Sequence, residues 1–389
     1  MPRTNSIPWW RTRRTQDVAF QILLLVGVVA LIAILVTNAT AAIERQNIAT
    51  GFAFLNNTAG FDIVQTLIPY NETSTYARVL LVGVLNTLVV ASIGIVFATL
   101  LGFVIGIGQL SSNWLVAKLC RGYIEIVRNI PLLLQIFFWY FAVLRALPGP
   151  RESWGFGDAV FLNNRGLYLP GPHAEAGFSL VLLALAAGVI GSFFVSARAK
   201  RVREATGAIT PVFPLALALI VVPPVIASAV AGFPMTFSWP ALSGLNFDGG
   251  TVVLPELMAL IVALATYTAS YIGEIVRAGI QGVSKGQMEA SQALGLARGQ
   301  TLRLVIVPQA MRQIIPPLTS QYLNLTKNSS LAVAIAYPDV VSVFAGTSLS
   351  QTGQAIEIIA ITMVVYLTLS LLTSAFMNWY NARVALTER

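Results

Sequence analysis

Long apolar runs, separated by shorter polar and basic stretches, dominate the chain. A bilayer-spanning helix needs about 20 mostly apolar residues. Such runs fall near 18–37, 79–108, 123–144, 178–195, 213–232, 255–276 and 355–378. An eighth, 305–325, is more polar and holds Pro308, Pro316 and Pro317, and it is read as a span too. The pattern predicts an all-α polytopic membrane protein with about eight transmembrane helices and both termini on one side. The first run is longer than a signal-peptide core and is read as a retained anchor. Loop 38–78 is polar, and segment 145–177, rich in Pro and Gly, is expected to form an irregular outer cap.

Composition narrows the class. Of 389 residues, 56% are hydrophobic and only 10% charged, where a soluble domain carries about 25% charged residues. That excludes most soluble enzymes and a disordered chain. The net charge of +8 fits basic cytoplasmic loops better than a nucleic-acid partner. Eighteen of the 24 basic residues lie in segments that the eight-span topology puts inside, among them Arg3, Arg11, Arg198, Arg277, Lys285, Arg303 and Arg389. The excess predicts a multi-pass membrane protein with cytoplasmic termini. With one cysteine, Cys120, and one histidine, His173, no internal disulfide and no His-based metal site are expected.

Polar groups inside the bilayer are costly and mark helix contacts or watery paths. Ser320, Gln321, Asn324, Lys327 and Asn328 follow i, i+1, i+4, i+7, i+8 spacing, one face of the seventh span. Amides both donate and accept hydrogen bonds, and Lys327 can attract an anionic group. The same face can also serve as interhelical packing. Asn86 and Gln135, within other spans, are further candidates for a substrate path. Glu125 with Arg128, and Glu274 with Arg277, are spaced for local i,i+3 ion pairs. Glycines 94, 102, 106 and 108 suit close helix packing.

The stretch between the sixth and seventh spans, YIGEIVRAGIQGVSKGQMEASQALGLARGQTLRLVIVP, is too amphipathic to span. Met288, Ala290, Ala293 and Leu294 can share one helical face, and Gly295 supplies a turn. Here Glu289-Ala290-Ser291, three residues, Gly295, then Val305-Ile306-Val307-Pro308 resembles the EAA loop of ABC importer permeases. Ser291 replaces the second Ala, and Val stands at both aliphatic positions. YIEIVRNIPLLLQIFFWYF (123–141) is similar to the signature of polar amino-acid permeases. KNSSLAVAIAYPDV (327–340) resembles the segment before their last span, with Asn328 and Asp339 departing from it. The layout is similar to the long permeases of general L-amino-acid and glutamate/glutamine/aspartate/asparagine uptake systems.

That resemblance implies a type I ABC importer permease core divided over 79–144 and 255–389. A region 1–78 then carries the tail, anchor and outer loop, and an insert 145–254 carries two extra spans. It implies an importer that takes polar L-amino acids from a periplasmic binding protein by alternating access. It also implies ATPase coupling through Glu289, Ala290, Ser291, Gly295 and Pro308, and a second permease subunit, a related heterodimer partner. The chain has no G-x-x-x-x-G-K-[ST] sequence, so no cofactor is expected on it. ATP and Mg belong on a separate P-loop ATPase. No catalytic set is present, so the chain is read as a permease and not an enzyme. An ion-coupled secondary amino-acid transporter is the alternative; it would favour charges near the midplane and internal repeats.

Overall fold

The computed structural model describes residues 13–45, 50–208 and 210–384. Arg3, Arg11 and Arg389 of the basic-residue argument lie outside the described residues. The chain divides into two compact units, Met1–Ala91 with Ile315–Arg389, and Ser92–Ile314.

The first unit holds α1 (Arg13–Arg45), the start of α2 (Tyr76–Gln109) and the C-terminal helices. Its core gathers Phe54, Ala59, Ile63, Tyr76, Val79, Val82, Val343, Phe344 and Ile358. The segment before α2 is therefore packed, not a slack loop. Phe54 lies 6.0 Å from the Tyr76 ring and 6.3 Å from the Phe344 ring.

The second unit holds the rest of α2, then α3 (Trp114–Asn129) and α4 (Leu132–Phe137), which continues as a π-helical turn, Phe138–Leu144. It continues through α5 (Phe178–Thr206), α6 (Val212–Val230), α7 (Pro255–Gln281), α8 (Lys285–Ala293) and α9 (Arg298–Thr301). α7 is its axis, with Leu260, Ala263, Leu264, Ala269, Ile272 and Val276 buried. A Cβ on Gly102 would come within 2.6 Å of Ile272, and one on Gly106 within 2.6 Å of Val276. Those two glycines let α2 and α7 touch nearly backbone to backbone.

Among the described residues, six helices are long and apolar enough to cross a membrane, or eight if each of two bent pairs is one span. The bent pairs revise two expected spans. The run 123–144 is not one straight helix: Trp114–Asn129 and Leu132–Leu144 meet at 104°. Pro131 lacks an N–H and biases the preceding residue away from helix, so α3 ends at Asn129. The seventh span is α10 (Val307–Asn328), preceded by a π-helical turn and followed by 3-10 turns to Ile335. It bends by 52° into Val340–Thr352, a π-helical stretch running into α11 (Leu349–Thr352). Then α12 (Ala355–Val384) closes the chain.

Segment 145–177 is also not irregular. Strands β1 (Trp154–Phe156), β2 (Val160–Asn163) and β3 (Gly166–Leu169) pair antiparallel, and β3 pairs with β8 (Thr251–Val253). β4 (Gly171–Ala174) pairs with β5 (Met235–Ser238), and β6 (Ala241–Ser243) with β7 (Asn246–Asp248). These strands join the ends of α4, α5, α6 and α7. Between β4 and β5 runs the antiparallel α5–α6 hairpin. Its crossing is tight at Gly188, where a Cβ would collide with the Leu219 carbonyl oxygen.

Candidate functional site

The segment joining α7 to α10 is ordered by its own backbone. α8 ends in a closed cap: Gly295 N–H donates to the Gln292 carbonyl at 2.9 Å, and Leu296 N–H to that of Ser291 at 3.1 Å. This bonding pattern needs a left-handed residue at position 295, and Gly295 has φ +74°. Ser291 is buried, so the site takes only a small residue, and its hydroxyl donates to the Gln287 carbonyl at 2.6 Å. The replacement of alanine by serine there thus leaves no polar atom stranded.

The opposite surface of α8 is open. Glu289 is exposed and makes no ion pair among the described residues. Met288, Leu294 and Leu304 are exposed around it, Leu294 at 80%. Behind them α8 is tied to α10 by Gln309 Nε2 donating to Gln287 Oε1 at 3.2 Å. Gln313 Nε2 also donates to the Gly282 carbonyl at 3.3 Å. Pro308 opens the first turn of α10, where a missing N–H costs little, directly after the wide π turn Leu302–Ile306. Glu289 and these apolar side chains thus face solvent on a short helix and the turns after it.

The polar face of α10 is present as spaced. Ser320, Asn324 and Lys327 are exposed, and Gln321 and Asn328 partly so, while Leu318, Leu325, Thr326 and Ser329 are buried on the other side. No side chain of the five makes a hydrogen bond among the described residues.

Asn86 and Gln135 are each bonded to backbone carbonyls. Gln135 is buried, and its Nε2 donates to the carbonyls of Val127 and Ile130, both at 2.9 Å. It satisfies the acceptors left open where α3 stops. Asn86, fully buried, donates to the carbonyls of Gln65 and Pro338, both at 2.9 Å. Pro338 lies in the second break, where Asp339 also accepts from Ser342 N–H at 2.8 Å. Each amide thus supplies donors to carbonyls at a helix break, Val127 and Ile130 in one case and Pro338 in the other.

Of the two expected ion pairs, Glu274–Arg277 forms, with the Arg277 Nε and Nη2 atoms both on the carboxylate. The other does not form among the described residues: Arg128 lies over the Tyr271 ring, 4.6 Å from its centre. Tyr271 in turn shares a 3.0 Å hydroxyl contact with Tyr267. Sequence spacing sees only same-helix neighbours. The Arg128–Tyr271 stack joins α3 to α7, and no local pattern points to it.

Comparison with known proteins bears on this arrangement. Residues 98–386 match the family described as binding-protein-dependent transport system inner membrane component. A general L-amino acid transport system permease protein of Rhizobium johnstonii is 54% identical over 96% of this chain and 93% of its own. A putative amino-acid ABC transporter permease protein of Escherichia coli is 54% identical over 95% of this chain and 94% of its own. A glutamate/glutamine/aspartate/asparagine transport system permease protein of Rhodobacter capsulatus is 40% identical over 97% and 95%. The resemblance read from Glu289, Gly295 and the 123–141 segment thus extends along almost the whole chain, which belongs to the family of binding-protein-dependent transport system inner membrane components, as a permease subunit of the ABC importer type.

Proposed function

We propose that this permease subunit imports polar L-amino acids across the bacterial inner membrane. A periplasmic binding protein delivers substrate, and a separate P-loop ATPase that binds ATP and Mg drives alternating access. A second, related permease completes the pathway. The substrate class rests on similarity to relatives named for general L-amino acids and for glutamate, glutamine, aspartate and asparagine. The observation that carries the coupling role is the braced α8 with exposed Glu289, Met288 and Leu294, closed by the cap at Gly295. The ATPase seats on that surface, with Glu289 meeting a basic residue. α8 faces the cytoplasm in this reading, as do both termini. Ser320, Gln321, Asn324, Lys327 and Asn328 line the substrate path. The names of the relatives favour an ABC permease over an ion-coupled carrier.

Gly295→Asp tests the coupling role. Space for a side chain exists there, since a Cβ would meet nothing within 4 Å, so membrane insertion stays normal. The strained cap and the added charge disturb docking. We expect loss of uptake and of the co-purifying ATPase at unchanged permease levels. Full uptake with normal ATPase retention would reject the docking role.

A further inference from the structure

The 145–254 insert carries a surface that coupling and substrate passage leave unused. No charged residue lies between Glu204 and Asp248. α6 occupies 19 of those positions, a length of about 28 Å, which is close to the full hydrocarbon thickness. The uncharged stretch does not stop there. It turns through Gly232 and Phe233 and continues as β5, Trp239 and β6. Phe233 adopts φ +57°, a conformation rare for a bulky residue. Its N–H closes the end of α6 on the Ser228 carbonyl at 2.7 Å, and its ring is left 69% exposed.

Along β5 successive side chains alternate between two faces. Thr236 and Ser238 lie on the polar one. Ser238 Oγ meets His173 Nε2 at 2.8 Å and accepts from Gly250 N–H at 3.1 Å. Met235 and Phe237 take the other face and are exposed, followed by exposed Trp239, Leu242 and Leu245. This apolar row begins within five residues of the end of a helix long enough to cross the bilayer, and β4, its pairing partner, leads directly into α5.

We propose that this row is a membrane-interface anchor: Phe233, Met235, Phe237 and Trp239 lie in the lipid headgroup layer. Along the chain, the uncharged stretch runs from α6 into the row, so one apolar surface continues from helix to strand; the nearest charge is Glu175 at the foot of α5, whose N–H donates to the Pro234 carbonyl at 3.1 Å. Residues just past a spanning helix stand at headgroup depth, where aromatic side chains are favoured. A protein docking patch carries a polar rim all round, whereas here the polar groups, His173 and Glu175, stand only on the β4 side, and the chain from α6 through β6 holds no charge. The anchor fixes the level of the hairpin in the bilayer.

The test uses the full chain in lipid nanodiscs, with Cys120→Ala as background. An environment-sensitive fluorophore is attached at Phe237→Cys or, as control on the polar face, at Thr236→Cys. We expect the probe at 237 to be quenched about threefold more by headgroup-region spin-labelled lipid than the probe at 236, with the order reversed for aqueous iodide. Iodide quenching as strong at 237 as at 236 would overturn the anchor. So would shielding of 237 that appears only when binding protein is added. Should the cysteine variants fail to insert, native tryptophan emission decides. Brominated lipid quenches it in the wild type, and Trp239→Phe must remove a quenchable component. An unchanged quenched fraction would also reject the proposal.

Discussion

At position 295 the backbone needs a left-handed residue, and the space around it is empty. The two facts separate strain from bulk. Asn tolerates that conformation and β-branched residues do not, so Gly295→Asn should keep most ATPase retention and Gly295→Val should lose most of it. Equal retention in a pull-down of matched membranes would show that the cap is not needed for docking. Asn86 and Gln135 call for a different readout. Removing either amide leaves buried carbonyls without a donor, at a cost of about 1–3 kcal/mol. Gln135→Ala and Asn86→Ala should lower the melting temperature in detergent and leave the glutamate-to-glutamine uptake ratio unchanged. A changed ratio at normal stability would place them on the substrate path. An amide in a hydrophobic run reads equally as ligand or staple. Pro131, four residues before Gln135, was the visible clue that freed carbonyls stood nearby.

Among the elements, α10 carries the sharpest functional question. Gln321, Asn324 and Lys327 rise over about 9 Å of helix, roughly the length of an extended amino acid. If they line the path, Gln321→Ala and Asn324→Ala change the relative uptake of glutamate and glutamine at normal expression. Lys327→Gln then hurts glutamate most, since a desolvated carboxylate loses its counter-charge. An unchanged ratio in all three, with uptake falling for every substrate alike, would assign the face to packing against another subunit. The spans and this face were legible because hydropathy and helical spacing are local properties. The strands were not. β1 to β8 are three or four residues each, among prolines and glycines, and their pairings join distant positions such as Leu167 with Val253. Local patterning carries no trace of such register. The bend at Ile130–Pro131 was hidden for another reason: the end of α3 and the arm after Pro131 together are apolar enough to read as one span.

For the molecule as a whole, orientation and energy source remain as consequences to be tested. Eighteen basic residues against six favour cytoplasmic termini and a cytoplasmic α8. In the Cys120→Ala background, Ser284→Cys should react only with a thiol reagent that crosses the inner membrane. Asp158→Cys, in the turn between β1 and β2, should react from outside. The opposite pattern would place α8 beyond reach of any ATPase. Family membership rests on most of the chain, and the motifs at 123–141 and 289–308 were enough to suggest it. The partners are written nowhere in this polypeptide, because the sites that would name them lie on other chains.

ATP dependence of uptake by the reconstituted assembly tests the central claim most directly. Proteoliposomes would hold the permease with its co-purifying partners, binding protein and labelled glutamine outside, and ATP and Mg inside. Uptake should require internal ATP and external binding protein, and should persist when ionophores collapse proton and sodium gradients. Uptake that proceeds without ATP and stops when those gradients are dissipated would contradict it.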